Sequence, residues 1–369
     1  MKILFIVQGE GRGHLTQALS LKQQLDGTSH QVVACLIGQK EPEAFTLSVK
    51  EKMNVPVHLF PSPNLAYNQQ GAGLSLSKTF RQNLRQLPQY LRSLKRIKNW
   101  ITEYKPDLII NFYDFLGGIY QLRNPISAPP MICVAHQYLL LHPEFQFPQG
   151  RWLDRILINT NTRITALGAK KLLALSITPV KTAGKIVSIP PLMRQEVLEE
   201  KSSRHNYFLA YFTSAGLLEQ LKNWQRSHPQ VEIHCFIKHD EENAVFQPQK
   251  NLFVHKLDSM KFLKMMANSR GLVTTAGFES VCEAIYFEKP IMMVPVPKHF
   301  EQACNALDAE RLGAGIARQE FCLDDFLHYA EAFDQTTLQG FKEWLHEGKL
   351  KTLHELNSVL NSTSAIMPS

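Results

Sequence analysis

Short apolar runs alternate along the chain with longer stretches in which apolar residues recur at helical spacing, and this alternation predicts parallel α/β domains. The runs of the first half are KILFIV, QVVACLI, VHLF, DLIINF, MICVA and ITAL; the pattern then restarts with YFLAYF, VEIHCFIK, NLFVHK, GLVTT and IMMVPV. Between the two series lies KIVSIPPLMRQEVLEEKSSRHN, a Pro-Pro step followed by a charged polar run. That break predicts a first domain over residues 1–190, a linker over 191–204 and a second domain over 205–369, with the last helix a candidate to pack back on the first domain. In open α/β sheets ligands sit beyond the carboxyl ends of the strands, so two such domains facing each other place a site in the cleft between them. Function is therefore expected in the loops that follow strands.

Composition narrows this picture only slightly. A chain of 369 residues suits two domains of ordinary size. Six cysteines, Cys35, Cys133, Cys235, Cys282, Cys304 and Cys322, are scattered without a CxxC, which argues against zinc, a redox pair or a disulfide framework and predicts reduced, buried thiols. The opening MKILFIVQGE ends its apolar run at Gln and Gly and so reads as a strand, not a signal peptide. No apolar segment approaches the roughly 18 residues needed to span a bilayer. Together these features predict a cytoplasmic location. The net charge of +7 is a mild bias toward phosphates, nucleotides or lipid headgroups. Nucleic acid is not an expected partner, because the basic residues are not interleaved with exposed-looking aromatics.

The first loop with chemical content is QGEGRGHLTQAL. A dinucleotide fingerprint needs GxGxxG, but the glycines here are Gly9, Gly11 and Gly13, and His14 takes the third required place. The second strand also lacks the acidic end that would hold a ribose. Gly11, Arg12 and Gly13 suit a loop that lets an acceptor or phosphate approach the backbone at a helix start. His14 has two readings: a general base working near neutral pH, or a cap of the following helix.

The second is GLVTTAGFESVCEAIYFEKPIMMVPVPKHFEQACNALDAERLGAG. A buried strand ends at Thr275, a glycine turn follows, and Ser280 and Glu283 fall in the first turns of a helix. Ser280 and the free amides suit a diphosphate, and the carboxylate of Glu283, one turn deeper, suits a ribose diol.

This stretch resembles the donor-binding region of the GT-B glycosyltransferases, both the UDP-glycosyltransferases of natural-product metabolism and the peptidoglycan N-acetylglucosamine transferases of the MurG type. Their donor segment, roughly T-H-C-G-W-N-S-T-x-E-A, is similar to Thr274–Ala284, which reads T-T-A-G-F-E-S-V-C-E-A. The family's P-x-x-x-D-Q-x-x-N-A resembles Pro297–Ala306, and GEGRGH is similar to the GGTGGH of the MurG type. The resemblance implies two Rossmann-like domains facing across a cleft and a sugar moved from a nucleotide-diphosphate donor, most simply UDP-linked. It implies donor contacts from Ser214, Thr275, Gly277, Phe278, Ser280 and Glu283, with Glu301 and Gln302 on the sugar hydroxyls. His14 takes the place of the catalytic base, and Asp114, ending the strand in PDLIINFYDFLGG, resembles the aspartate that pairs with it; an ordinary loop aspartate capping the next helix is the alternative. Two positions depart from the pattern: Thr275 replaces a histidine, and Glu279 replaces an asparagine and brings a carboxylate near the expected diphosphate. His136, after MICVA, is a further cleft residue.

The expected chemistry is direct displacement with inversion, without metal or other cofactor, since the sequence has no DxD. From Phe80, apolar residues recur at Leu84, Leu87, Leu91, Leu94, Ile97 and Ile101, among Lys78, Arg81, Arg85, Arg92, Lys95, Arg96 and Lys98, with Pro88 inside. A core helix with a solvated basic back fits this pattern. So does a basic amphipathic surface over 78–101 that docks on anionic lipid and would suit a lipid-linked acceptor. The preceding NLAYNQQGAGLSLSK is a candidate lip of the acceptor site. A UDP-sugar 2-epimerase and a non-catalytic nucleotide-sugar binder are the rival functions.

Overall fold

The computed structural model describes residues 1–63, 76–213, 215–239, 241–321 and 323–364. Ser214, Cys322 and residues 64–75, which hold most of the candidate acceptor-site lip, lie outside them, as do the side chains of Lys78, Phe80 and Arg81.

In the first half, strands β1 (Lys2–Gln8), β2 (Gln31–Gly38), β3 (Val57–Leu59), β4 (Leu108–Phe112), β5 (Met131–Ala135), β6 (Lys171–Leu175) and β7 (Ile186–Ile189) alternate with helices α1 (Gly13–Leu25), α2 (Ala44–Met53), α3 (Leu76–Tyr104), α4 (Phe115–Arg123) and α5 (Trp152–Thr165). A short helix, α6 (Gln195–Glu199), opens the passage to the second half. There β8 (Tyr207–Tyr211), β9 (Glu232–Phe236), β10 (Val245–Gln249), β11 (Leu252–His255), β12 (Gly271–Thr274), β13 (Ile291–Met293) and β14 (Gly315–Ala317) alternate with α7 (Ala215–Ser227), α8 (Ser259–Asn268), α9 (Phe278–Tyr286), α10 (Phe300–Arg311) and α11 (Leu323–Ala332). The long α12 (Gln339–Ser364) follows.

Among the described residues the strands form two seven-stranded sheets, in the orders β3-β2-β1-β4-β5-β6-β7 and β10-β11-β9-β8-β12-β13-β14. Every pairing is parallel except the β10–β11 hairpin. Continuous apolar runs such as KILFIV, buried from Ile3 to Val7, are what a sheet covered on both faces requires. In each sheet the chain reverses its direction of filling beside the first strand, β1 or β8, so the crevice beyond β1/β4 and β8/β12 is the switch point where ligands bind in such folds. The apolar core is continuous between the halves, running from Ile3 and Leu15 through Leu192 and Met193 to Phe278, Cys282 and Leu356.

Two readings of the pattern are corrected. ITAL is not a strand: α5 runs to Thr165, and the strand that follows is KLLAL, since a four-residue apolar run cannot by itself distinguish a helix end from a strand. KIVSI, in the stretch read as the interdomain passage, contributes the edge strand β7, paired with β6. The last helix packs on the first domain: Trp344 Nε1 donates to the Ser176 carbonyl at 3.0 Å, and Lys171 pairs with Glu355. Cys35, Cys133, Cys235, Cys282 and Cys304 are free and buried. No helix among the described residues is long and apolar enough to cross a membrane.

The helix α3 divides along its length. Ile97 and Ile101 are buried in the first-domain core, whereas Leu84, Leu87 and Leu91 are 59%, 48% and 51% exposed. Among its described side chains, most of those over 84–91 face outward, and Ile97 and Ile101 face the core.

Candidate active site

β1 delivers the chain into Gly9–Arg12, where Gly11 has φ +79°, a left-handed turn that glycine enters without a Cβ clash. α1 then starts at Gly13 without a side-chain cap, so the capping reading of His14 does not hold. The His14 ring is buried and stacks on Tyr113 at 5.2 Å. Its Nδ1 lies 3.3 Å from Gln17 Oε1, one turn along α1, and Gln137 Nε2 lies 3.4 Å from its Nε2. Burial and the neighbouring His136 pull the His14 pKa below its ordinary value, while Glu279, Glu301 and the Gln17 contact pull the other way. Arg12 is exposed, its guanidinium over the Phe45 ring.

The expected pairing of His14 with Asp114 does not form. Asp114 is the N-cap of α4: Oδ1 accepts from the Leu116 and Gly117 amides at 2.8 and 3.1 Å, and Oδ2 is pressed against Gly38. Two amide donors one turn ahead offer the carboxylate a nearer partner than the imidazole. Burial raises its pKa to about 6, against the amides and Ser62.

On the facing domain, β12 ends at Thr274 and the chain turns through Ala276, held at φ +62°, before Gly277 caps α9. That left-handed alanine is costly, and Asn305 Nδ2 secures it by donating to its carbonyl at 3.1 Å. Tyr113 and Lys298, in the loops after β4 and β13, are left-handed as well. Ser280 Oγ donates to the Gly277 carbonyl at 3.0 Å and lies 3.4 Å from Thr274 Oγ1; Thr275 is buried behind them.

Glu283 is buried, and its Oε1 accepts from Arg194, with Nε at 2.8 Å and Nη2 at 2.6 Å. Burial raises the Glu283 pKa, and Arg194 opposes that rise. Arg194 also donates to Ser259 Oγ at 2.7 Å. This arginine, contributed by the passage between the domains, was not legible in the sequence: a lone cation beyond a Pro-Pro carries no spacing signal.

The two domains meet through polar pairs. Gln17 Nε2 donates to Glu279 Oε1 at 2.7 Å, and Glu301 Oε1 lies 3.0 Å from His136 Nε2 and accepts from Gln137 Nε2 at 3.3 Å. Phe278 stacks on His136 at 4.5 Å, with ring planes 5° apart. Burial pushes the Glu301 carboxyl up, but the hydrogen bond from His136 and the charges of His136, His299 and His14 hold it well below the usual range. Gln302 is turned from this group; its Oε1 accepts from the Val296 amide at 2.8 Å. His14, His136, Phe278, Glu279 and Glu301 thus stand together, Glu283 lies one turn farther along α9, and Asp114 and Gln302 serve their own loops. Among the described residues no group of three His, Cys, Asp or Glu side chains is placed to hold a metal.

The chain and its fold have counterparts among known proteins. The family model described as glycosyl transferase family 1 matches residues 1–331. A UDP-N-acetylglucosamine–N-acetylmuramyl-(pentapeptide) pyrophosphoryl-undecaprenol N-acetylglucosamine transferase of Leuconostoc citreum (strain KM20) is 29% identical over 136 residues, 36% of this chain and 32% of the relative. The match thus spans about a third of that relative's length. The glycotransferase of kitacinnamycin superposes with a TM-score of 0.67 at 14% identity, covering 97% of this chain and 98% of the other. Arabidopsis thaliana UGT89C1 complexed with UDP superposes with a TM-score of 0.65 at 14% identity, over 97% and 99%. At such identities the superpositions speak for the fold, two Rossmann-like domains across a cleft.

Proposed function

The chain belongs to glycosyl transferase family 1, and from that premise we propose that it moves a sugar from a UDP-linked donor to an acceptor hydroxyl with inversion at the anomeric carbon. The observation that carries this reading is the meeting of the buried Glu283 and the α9 N-terminus, on one domain, with the His14 loop of the other. Glu283 takes the ribose diol, and the α9 amides with Ser280 and Gly277 hold the diphosphate. Thr275 and Phe278 line the donor side, Glu301 receives the sugar hydroxyls, and Gly11, Arg12 and Gly13 admit the acceptor. His14 Nε2 takes the proton of the acceptor hydroxyl as its oxygen bonds the anomeric carbon. The bond to the diphosphate breaks, and its electron pair leaves with the nucleoside diphosphate. The amides at the start of α9 supply the positive field at the leaving group, and the transfer is read as independent of metal.

Calorimetric titration with UDP, GDP, dTDP and ADP tests the donor half. UDP is expected to bind selectively and Glu283→Gln to weaken it; equal affinity for all four would sink the UDP assignment. A 2-epimerase converts the UDP-sugar to its epimer, or hydrolyses it, without an acceptor, and a mere binding protein leaves it intact, so UDP release that requires an acceptor hydroxyl excludes both.

The acceptor is read as lipid-linked, with the protein peripheral on the cytoplasmic membrane face. The support is the unpartnered Leu84, Leu87 and Leu91 on α3 amid Arg85, Arg92 and Lys95, together with exposed Trp152, Leu153 and Ile156 at the start of α5. Sedimentation with anionic vesicles at low salt is the expected result, and recovery of all protein in the supernatant would count against it.

A further inference from the structure

Asp114 is committed to its own helix, which leaves open what orients the base. Three contacts answer in sequence. A carboxylate oxygen accepts, so the Gln17 amide, 2.7 Å from Glu279 Oε1, presents its NH2 group there. That fixes Gln17 Oε1 on the other side, toward His14 Nδ1 at 3.3 Å, and a carbonyl oxygen can only accept. The proton of the neutral imidazole is thereby placed on Nδ1. Gln137 agrees from the opposite side, because its NH2 group lies 3.4 Å from His14 Nε2 and finds a lone pair there. We infer that Gln17 is the positioning residue of the His14 base, bridging it to the carboxylate of Glu279 and so keeping the lone pair on Nε2, where the acceptor hydroxyl replaces the Gln137 amide as the donor.

The bridge has two structural consequences. It spans both domains, with Gln17 on α1 and Glu279 on α9, so His14 is held in its working tautomer only while the donor domain is docked. It also accounts for the carboxylate that replaces the family's asparagine: Glu279 points away from the diphosphate seat and over the start of α1. A Cβ on Gly13 would lie 2.9 Å from Glu279 Oε2, so a side chain there would displace the end of the glutamate. The other groups facing His14 are His136 after β5, Glu301 on α10 and Tyr113 after β4.

This inference rests on the proposed role of His14, and its first test does not depend on turnover. In 15N-histidine NMR, with the His14 signals identified by their loss in His14→Gln, wild type is expected to show the Nδ1–H tautomer and Gln17→Leu a mixture or the Nε2–H form. An Nε2–H tautomer in wild type, or an unchanged one in Gln17→Leu, overturns the bridge whether or not the protein transfers sugar. The second test reads kinetics. Gln17→Leu should lower kcat roughly 10- to 100-fold with donor KM little changed, the usual scale for losing a group that orients a catalytic one. Glu279→Gln keeps an acceptor for Gln17 but removes the charge that raises the His14 pKa. The acid limb of kcat/KM should therefore move to lower pH while the plateau falls. A limb that stays in place assigns Glu279 a structural role only and overturns its part in the bridge. If the tautomer result holds and no donor is turned over, the transferase reading fails and the bridge stands.

Discussion

The two halves of the cleft are built by different means. On the donor side, the residues assigned to the diphosphate and ribose lie on one strand, one turn and one helix, Thr274 to Glu283, and only Arg194 and Glu301 join them from elsewhere. On the other side, His14 is held by Gln17 from its own helix, by Gln137 from the loop after β5 and by the Tyr113 ring after β4, while Glu279 of the opposite domain closes the set. A contiguous site tolerates change elsewhere in the chain; an assembled one depends on every element that feeds it. The donor half should therefore respond to mutation as a binding site, and the base half as a catalytic unit.

His14→Ala tests this most severely. Loss of a general base is expected to lower kcat about 10²- to 10⁴-fold, with nucleotide affinity by calorimetry unchanged. Full turnover in that variant would remove the base and erase the contrast between the halves.

Glu283→Gln should act in the opposite sense. It weakens nucleoside diphosphate binding roughly 10-fold, the scale of one hydrogen bond to a charged group, and leaves the pH dependence of kcat where it was. The glutamine retains an acceptor for Arg194, so the half-buried guanidinium keeps its partner. A change confined to kcat would place Glu283 with the base instead.

Asp114→Asn separates the capping role from the catalytic one. A capping asparagine keeps the α4 start, so kcat should stay within about threefold of wild type, and a loss near 10⁴-fold would restore the aspartate as partner of His14. Stability supplies a second reading. The folded pKa of about 6 lies above the ordinary 3.8, so folding favours the protonated carboxyl. Its contribution is complete below about pH 4 and is lost as pH rises through 6. By linkage the loss amounts to about 3 kcal/mol, and urea melts of Asp114→Asn should lack that slope between pH 4 and 6.

The smallest effect on the fold is expected from replacing Leu84, Leu87 and Leu91 with serine. These side chains are exposed, so stability should change by no more than about 0.5 kcal/mol per site while vesicle binding falls. A large loss of stability would mean that the first half of α3 is covered by some other part of the molecule.

The sequence by itself determined the α/β class, most of the strands and the donor segment, because each depends on short-range order. Buried parallel strands need unbroken apolar runs, and Gly277, Ser280 and Glu283 need only helical spacing to share one region of α9. It misplaced a strand at ITAL, where apolarity over four residues does not settle helix against strand, and it did not separate β7 from the passage between domains. Tertiary structure alone decided the partners. Asp114 lies near His14 in the expected order of elements, yet two backbone amides one turn away claim its carboxylate. Arg194, Gln17 and Gln137 carried no motif, and their roles arise from contacts across 89, 262 and 123 residues of chain. Residue spacing specifies neighbours within a turn or a strand, whereas the choice among competing donors for a buried carboxylate or imidazole is made only when separate elements pack against one another.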